Sequence, residues 1–214
     1  MLYIKQFTFN HYEVNSYILY STEGKCPCVW MDPGMSTEAE CNEAFGFIAR
    51  NGLHPTHILL THAHVDPKAG LPAATRRYDL PVSTHVDSVS LLRTASAFGS
   101  YMGFDVPNMD DLPRVLLNEG DRIKVADDEI EVRGVPGHCP GSLCFVVPGL
   151  QVVLTGDALF RGSIGRTDLP GGNFDQLIAS LRSRVLTLPP SFEVLPGHGD
   201  ISTISDELAR NPFL

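Results

Sequence analysis

No stretch of this chain approaches the roughly 18 consecutive apolar residues that a membrane-spanning helix needs, so no membrane partner is expected. Positive charge is scarce: 16 Lys and Arg stand against 25 Asp and Glu, a formal net charge of −9 at pH 7. No basic block offsets that balance, which argues against nucleic acid or an anionic surface and leaves a small molecule as the expected partner. Cysteine is sparse too. The five present, Cys26, Cys28, Cys41, Cys139 and Cys144, are odd in number and form no CxxC pair. That excludes a fully paired disulfide framework, and a reduced, cytoplasmic protein is the simplest expectation. Cys26-Pro27-Cys28 comes nearest to a redox pair and reads as two of these scattered thiols. The opening MLYIKQFTFN has no basic segment ahead of an apolar one, so no signal peptide is expected. Linkers, low-complexity runs and short-period repeats are lacking as well. Residues 1–214 therefore read as one domain, long enough to bury a core without disulfides.

What is present is a patchwork of short elements. Apolar and polar residues alternate over 3–7, 16–20 and 28–31, the period of half-buried strands. Asp32-Pro33-Gly34 is a turn. Residues 36–50 read as a helix, with Ser36 or Thr37 as N-cap and Asn51-Gly52 as the stop. A short apolar strand over 57–60 precedes a helix over 68–78, a strand over 80–84 and a helix over 86–97. Residues 99–113, rich in Gly, Pro, Met and Asp, read as a flap or lid. Strands return at 122–125, 129–135, 143–147 and 151–154. A helix over 174–185, a buried strand over 192–195 and a last helix over 205–210 follow. This order is neither a regular βαβ repeat nor an all-β chain. It suits the α+β class, with two sheets packed face to face and helices outside.

Four segments share one design, an apolar strand followed at once by a Gly- or Pro-rich turn bearing His or Asp: ILLTHAHVD (58–66), VRGVPGHCPGS (132–142), VVLTGDALF (152–160) and EVLPGHGD (193–200). Strand ends hold side chains rigidly, and glycine and proline shape the tight turns that aim them. If the four strand ends meet at one edge, His62, His64, Asp66, His138, Asp157 and His198 converge. Four imidazoles and two carboxylates at one spot are costly to desolvate without a cation and suit Zn²⁺, Fe²⁺ or Mn²⁺. His11, His54 and His57 read as surface residues. His85 ends a short strand and is a candidate to support the site from outside, as is Asp32, a potential hydrogen-bond partner for a ligand histidine. Arg161, Arg166 and Asp168 follow Asp157 in a Gly-rich loop, where a buried Arg–Asp pair holding the loop is expected rather than substrate contact. Cys139, beside His138, reads as packing.

HAHVD, PGHCPGS, LTGDALF and PGHGD resemble, in order, the metal-binding motifs of the metallo-β-lactamase superfamily. GDALFRGSIGRTDLPGG (156–172) and the ending NPFL (211–214) resemble its short glyoxalase II-like hydrolases. The resemblance covers almost the full chain and implies an αββα four-layer sandwich with a metal site at one edge of two mixed sheets. It assigns His62, His64 and His138 to a first metal, Asp157 as the bridging carboxylate, and Asp66 and His198 to a second metal. The family's HxHxDH motif has a further His directly after the aspartate. Here that position is Pro67.

The first site is thus complete and the second lacks one imidazole. A lost neutral ligand should weaken the second site by about one to three orders of magnitude, given the roughly 10–16 kcal/mol of strong zinc sites. One tightly bound zinc and a weak or absent second ion are expected, with iron or manganese as alternatives. Asp66, relieved of firm metal duty, becomes a candidate general base. Pro67 itself can open the following helix, where its missing N–H is harmless. The expected reaction is hydrolysis of a small thioester of the S-lactoylglutathione type, or of an ester, by metal-activated water. Against a full glutathione thioesterase, the sequence has no segment after Leu214 matching the helical C-terminal part of longer glyoxalase II proteins. The resemblance extends to mononuclear iron persulfide dioxygenases, whose triad would fall on His62, His138 and Asp157. A degenerate, non-catalytic binding scaffold is the third reading.

Overall fold

The computed structural model describes residues 1–93, 100, 109 and 111–214. The first sheet runs in sequence order: β1 (Leu2–Phe9), β2 (Val14–Ser21), β3 (Pro27–Met31), β4 (His54–Leu59), β5 (Val82–His85) and β6 (Arg114–Leu117). Its first three strands pair antiparallel and the rest parallel, so the sheet is mixed. The second sheet takes the order β14–β13–β10–β9–β8–β7. Its strands are β7 (Arg122–Val125), β8 (Asp128–Gly134), β9 (Leu143–Val147), β10 (Val152–Gly156), β13 (Glu193–Pro196) and β14 (Ser202–Thr203). Only β10 and β13 are parallel there. A small hairpin, β11 (Leu159–Phe160) with β12 (Ser163–Ile164), stands apart from both.

Strand side chains alternate between faces, and both faces of these sheets are covered, so the central strands read as nearly continuous apolar runs. On β3, Val29 and Met31 enter the core between the sheets, while Cys28 and Trp30 enter the core on the opposite face. On β9, Leu143, Phe145 and Val147 meet Val29 and Met31 in the inter-sheet core, while Cys144 and Val146 face outward. The outer cores are closed by helices. α1 (Glu38–Arg50) and α2 (Leu71–Tyr78) bring Ala44, Ile48, Leu71 and Ala74 against the first sheet. α4 (Phe174–Ser180), the π-helical turn Leu181–Val185 that continues it, and α5 (Ile204–Arg210) bring Leu177, Leu181, Val185 and Ile204 against the second. The short α3 (Val89–Arg93) follows β5. The result is helix, sheet, sheet, helix, the expected αββα sandwich. Among the described residues no helix is long and apolar enough to cross a membrane.

Local chemistry explains the boundaries. α1 starts at Thr37 through a capping box: the Thr37 side chain accepts from Glu40 N–H while the Glu40 carboxylate accepts from Thr37 N–H. The second helix begins at Leu71, not at 68, and Pro67 lies in the turn ahead of it. That turn is held by its own bonds. The buried Lys68 ammonium donates to the Ala63 carbonyl and, at 2.8 Å, to the Leu91 carbonyl of α3, while Gly70 N–H reaches Pro33 O at 2.8 Å. Pro72 takes the first-turn position that tolerates a missing N–H. Sequence patterning missed β6, where the apolar Val115 and Leu116 are exposed, and the two-residue strands β11, β12 and β14. Most of the expected flap over 99–113, and part of the helix expected over 86–97, lie outside the described residues.

Candidate metal centre

The C-terminal ends of β4, β10 and β13 open at one edge of the sandwich, where the two sheets are stitched together. Leu143 N–H donates to Thr61 O and Asn15 N–H to Gly197 O, both at 2.7 Å, and Tyr17 Oη–H donates to Pro196 O at 2.8 Å. His62 follows β4, His138 lies in the turn after β8, Asp157 follows β10 and His198 follows β13. All six expected residues meet here. One ligand atom from each of His62, His64, His138 and Asp157 lies within 4.8 Å of the others, and so do atoms of Asp66, Asp157 and His198. The two groups share Asp157. Its Oδ2 is 3.6 Å from His62 Nε2, 3.7 Å from His138 Nε2 and 3.6 Å from His198 Nε2.

The outward faces of these imidazoles are already committed. His138 Nδ1 sits 2.8 Å from the Arg166 carbonyl and His198 Nδ1 sits 2.9 Å from the Tyr12 carbonyl. A carbonyl can only accept, so Nδ1 of each carries a proton; His138 Nε2 then turns a lone pair inward, whereas His198 Nε2 faces the Asp66 carboxylate at 3.1 Å and carries a proton as well. His62 reaches the state of His138 through a relay. Asp32 accepts from Thr61 N–H at 2.8 Å and from Thr61 Oγ1–H at 2.7 Å, leaving Thr61 Oγ1 to accept from His62 Nδ1–H at 3.0 Å. Asp32 thus supports a ligand histidine, but through Thr61 rather than directly. Thr61 and the carbonyls of Arg166 and Tyr12 were not singled out from sequence; backbone acceptors carry no residue signature.

The inner faces fit a cation. His62 Nε2 and Asp157 Oδ1 are buried and have no hydrogen-bond partner among the described residues. Buried polar atoms left unpaired are rare and ask for a ligand. Convergent lone pairs from neutral imidazoles and a carboxylate are the donor set of zinc, iron or manganese. Burial, reinforced by His138 and His64, holds His62 well below the ordinary histidine range; burial and His138 bring His64 down to about 4, and burial lowers His138. All three are therefore neutral near pH 7, the form that binds metal. The other half differs. Burial opposes the charged form of His198, but the Asp66 hydrogen bond at 3.1 Å and the charges of Asp157 and Asp66 outweigh it and hold the imidazole above its usual range. A cation at Asp66, Asp157 and His198 must displace that proton, without help from position 67.

Two glycines shape the pocket wall. A Cβ on Gly197 would lie 2.2 Å from Asp157 Oδ1, and one on Gly165 would lie 1.9 Å from Asp157 O and 2.9 Å from His138 Nδ1. Two expectations around the centre are corrected. Arg166 and Asp168 do form a two-pronged pair, both contacts 2.8 Å, but it is exposed rather than buried, and Arg161 pairs instead with Asp200 at 3.1 Å. His85 accepts from Asp87 N–H at 3.2 Å, capping a helical turn, and belongs to neither ligand group. Cys139 is buried, its Sγ 3.4 Å from Ser142 Oγ. The relay gives a first test. Thr61→Val keeps the shape of the side chain and removes the link to His62. Metal affinity measured by chelator competition is expected to fall about 10–100-fold, as for other outer partners of ligand histidines.

Known proteins place this arrangement. Over 205 residues the chain is 38% identical to the "Probable metallo-hydrolase YqgX" of Bacillus subtilis (strain 168), covering 94% of this chain and 92% of that protein. It is 33% identical to the "Hydroxyacylglutathione hydrolase GloC" of Haemophilus influenzae, covering 88% of this chain and 92% of the other. The solved structure of TTHA1623 in a di-iron-bound form superimposes with a TM-score of 0.86 at 37% identity, covering 98% of this chain and 100% of that one. The model of the metallo-beta-lactamase superfamily matches residues 12–198, from the loop that holds His198 to His198 itself, and the chain belongs to that superfamily.

Proposed function

We propose that this chain is a metal-dependent hydrolase of a small thioester or ester of the S-lactoylglutathione type. The observation that carries the reading is the buried His62 Nε2 and Asp157 Oδ1, without a hydrogen-bond partner among the described residues, where ligand atoms of His64 and His138 converge on the same two side chains. His62, His64, His138 and Asp157 would hold one ion tightly, zinc by donor set; Asp66, Asp157 and His198 would hold a second weakly or not at all. Iron is the competing choice, supported by the di-iron form of a 37% identical protein. When bound, such an ion polarises a carbonyl and lowers the pKa of water toward about 7. The protein's own part is to hold His62 and His138 neutral and oriented through Thr61 and Arg166, to orient His198 through Tyr12, and to manage a proton. Asp66, 3.1 Å from His198 Nε2, is placed to accept one as general base and share it with that imidazole. The thioester arm of the proposal draws support from the 33% identical hydroxyacylglutathione hydrolase.

The test compares S-lactoylglutathione, a simple aryl ester and glutathione persulfide on one preparation, before and after chelation. Thioester or ester cleavage that disappears with chelator and returns with zinc is expected. Oxygen uptake with the persulfide and no hydrolysis would replace this reading by an iron oxidoreductase. No turnover with any substrate or added metal would leave a binding scaffold.

A further inference from the structure

The ending NPFL and helix α5 contribute no ligand atom, yet they grip the piece of chain that does. Asp157 and Arg166 bracket the β11–β12 hairpin: one supplies the shared carboxylate, the other the carbonyl that fixes His138. The two-residue strands pair at Leu159↔Ile164 and Phe160↔Ser163, with Gly165 N–H donating to Ala158 O at 3.3 Å and Thr155 Oγ1–H to Leu159 O at 2.8 Å, and these bonds hold the base of the hairpin rather than its turn. The hairpin turn is held from outside. Glu207, only 1% exposed, accepts from Gly162 N–H with both carboxylate oxygens, at 3.2 and 3.0 Å. Asn211 donates through Nδ2 to Ser163 O at 3.0 Å and to Glu207 Oε2 at 2.8 Å, while its Oδ1 accepts from Phe213 N–H at 3.1 Å. Both amide hydrogens are used on acceptors, so a carboxylate at 211 would face the Glu207 carboxylate and a carbonyl with nothing to donate.

We propose that Glu207 and Asn211 are positioning residues that set the metal affinity of the His62, His64, His138 and Asp157 group, by locking the hairpin between Asp157 and Arg166. The proposal rests on reading that group as a metal centre. A ligand held in place before the ion arrives loses less freedom on binding, which is why partners outside the ligand shell matter to affinity.

The test is zinc affinity by chelator competition on the full metal-free chain, well below the melting temperature, with folding checked by circular dichroism. Asn211→Asp, Asn211→Ala and Glu207→Ala are expected to weaken zinc binding about 10–100-fold. Leu208→Ala, on an exposed side chain of the same helix, should leave it unchanged. If Asn211→Asp does not fold, the two alanine variants decide. Folded variants that melt earlier but bind zinc as tightly as the unaltered chain would overturn this proposal alone, leaving a purely structural clamp. Absence of both zinc and ferrous-iron binding by the unaltered chain would overturn the metal-centre reading and this proposal with it.

Discussion

Replacing Asp157 by alanine is expected to remove tight metal binding and turnover together while leaving the metal-free protein folded. Asp157 is the one side chain common to both ligand groups. Losing it takes the carboxylate from the first group and leaves the second with two ligands. If the ion supplies several kcal/mol of transition-state stabilisation, at about 1.4 kcal/mol per tenfold, the rate should fall about 1,000-fold or more. Stability should behave oppositely in the two forms. In the metal-free protein, burial and the nearby Asp66 charge push the Asp157 carboxyl up while His198 pulls it back, so its charge is costly there. Alanine should therefore cost the metal-free form little, whereas the gain on adding metal should vanish; that gain is about 4 kcal/mol when free metal exceeds Kd a thousandfold. Melting curves with and without zinc check it. An Asp157→Ala protein whose melting temperature still rises with zinc as in the unaltered chain contradicts the assignment.

The second large effect concerns Pro67. Pro67→His restores an imidazole next to Asp66, at the half of the centre that holds only Asp66, Asp157 and His198. A fourth ligand should raise affinity for a second ion about 10- to 1,000-fold, the range expected if a neutral ligand contributes a few kcal/mol. Titration of metal-free protein should show a second ion binding in the variant at concentrations where the unaltered chain takes one. The substitution falls in a buried turn anchored by Lys68 and Gly70, so the melting temperature of the metal-free variant is the control. A variant that folds normally and gains no second ion would show that Pro67 is not what limits the site.

Much of this was legible because the strands announce themselves. Alternating faces on β3 and apolar runs on β9 and β10 mark sheets covered on both sides, and a His or Asp just past a strand end has few places to point. The six converging residues could thus be named from sequence. What escaped was carried by groups without a residue signature: the carbonyls of Tyr12 and Arg166 that set imidazole tautomers, and the Thr61 bridge between Asp32 and His62. Exposure misled in two places. The Arg166–Asp168 pair looks like a buried clasp beside a ligand but lies in solvent, and the clasp that is buried, Glu207 with Asn211, sits about forty residues further on. Proline also misled: Pro67 resembles a helix start, but the Lys68 contacts hold its residues in a turn, and Pro72 takes the helical position.

His62, His64, His138 and Asp157 are expected to hold one cation tightly, and Asp66, Asp157 and His198 a second weakly or not at all. Titrating metal-free protein with zinc, by calorimetry and in parallel by activity, tests this directly. One tight ion per chain is expected, with activity returning in step with that ion. Two ions of equal affinity, or no saturable binding at all, would contradict it.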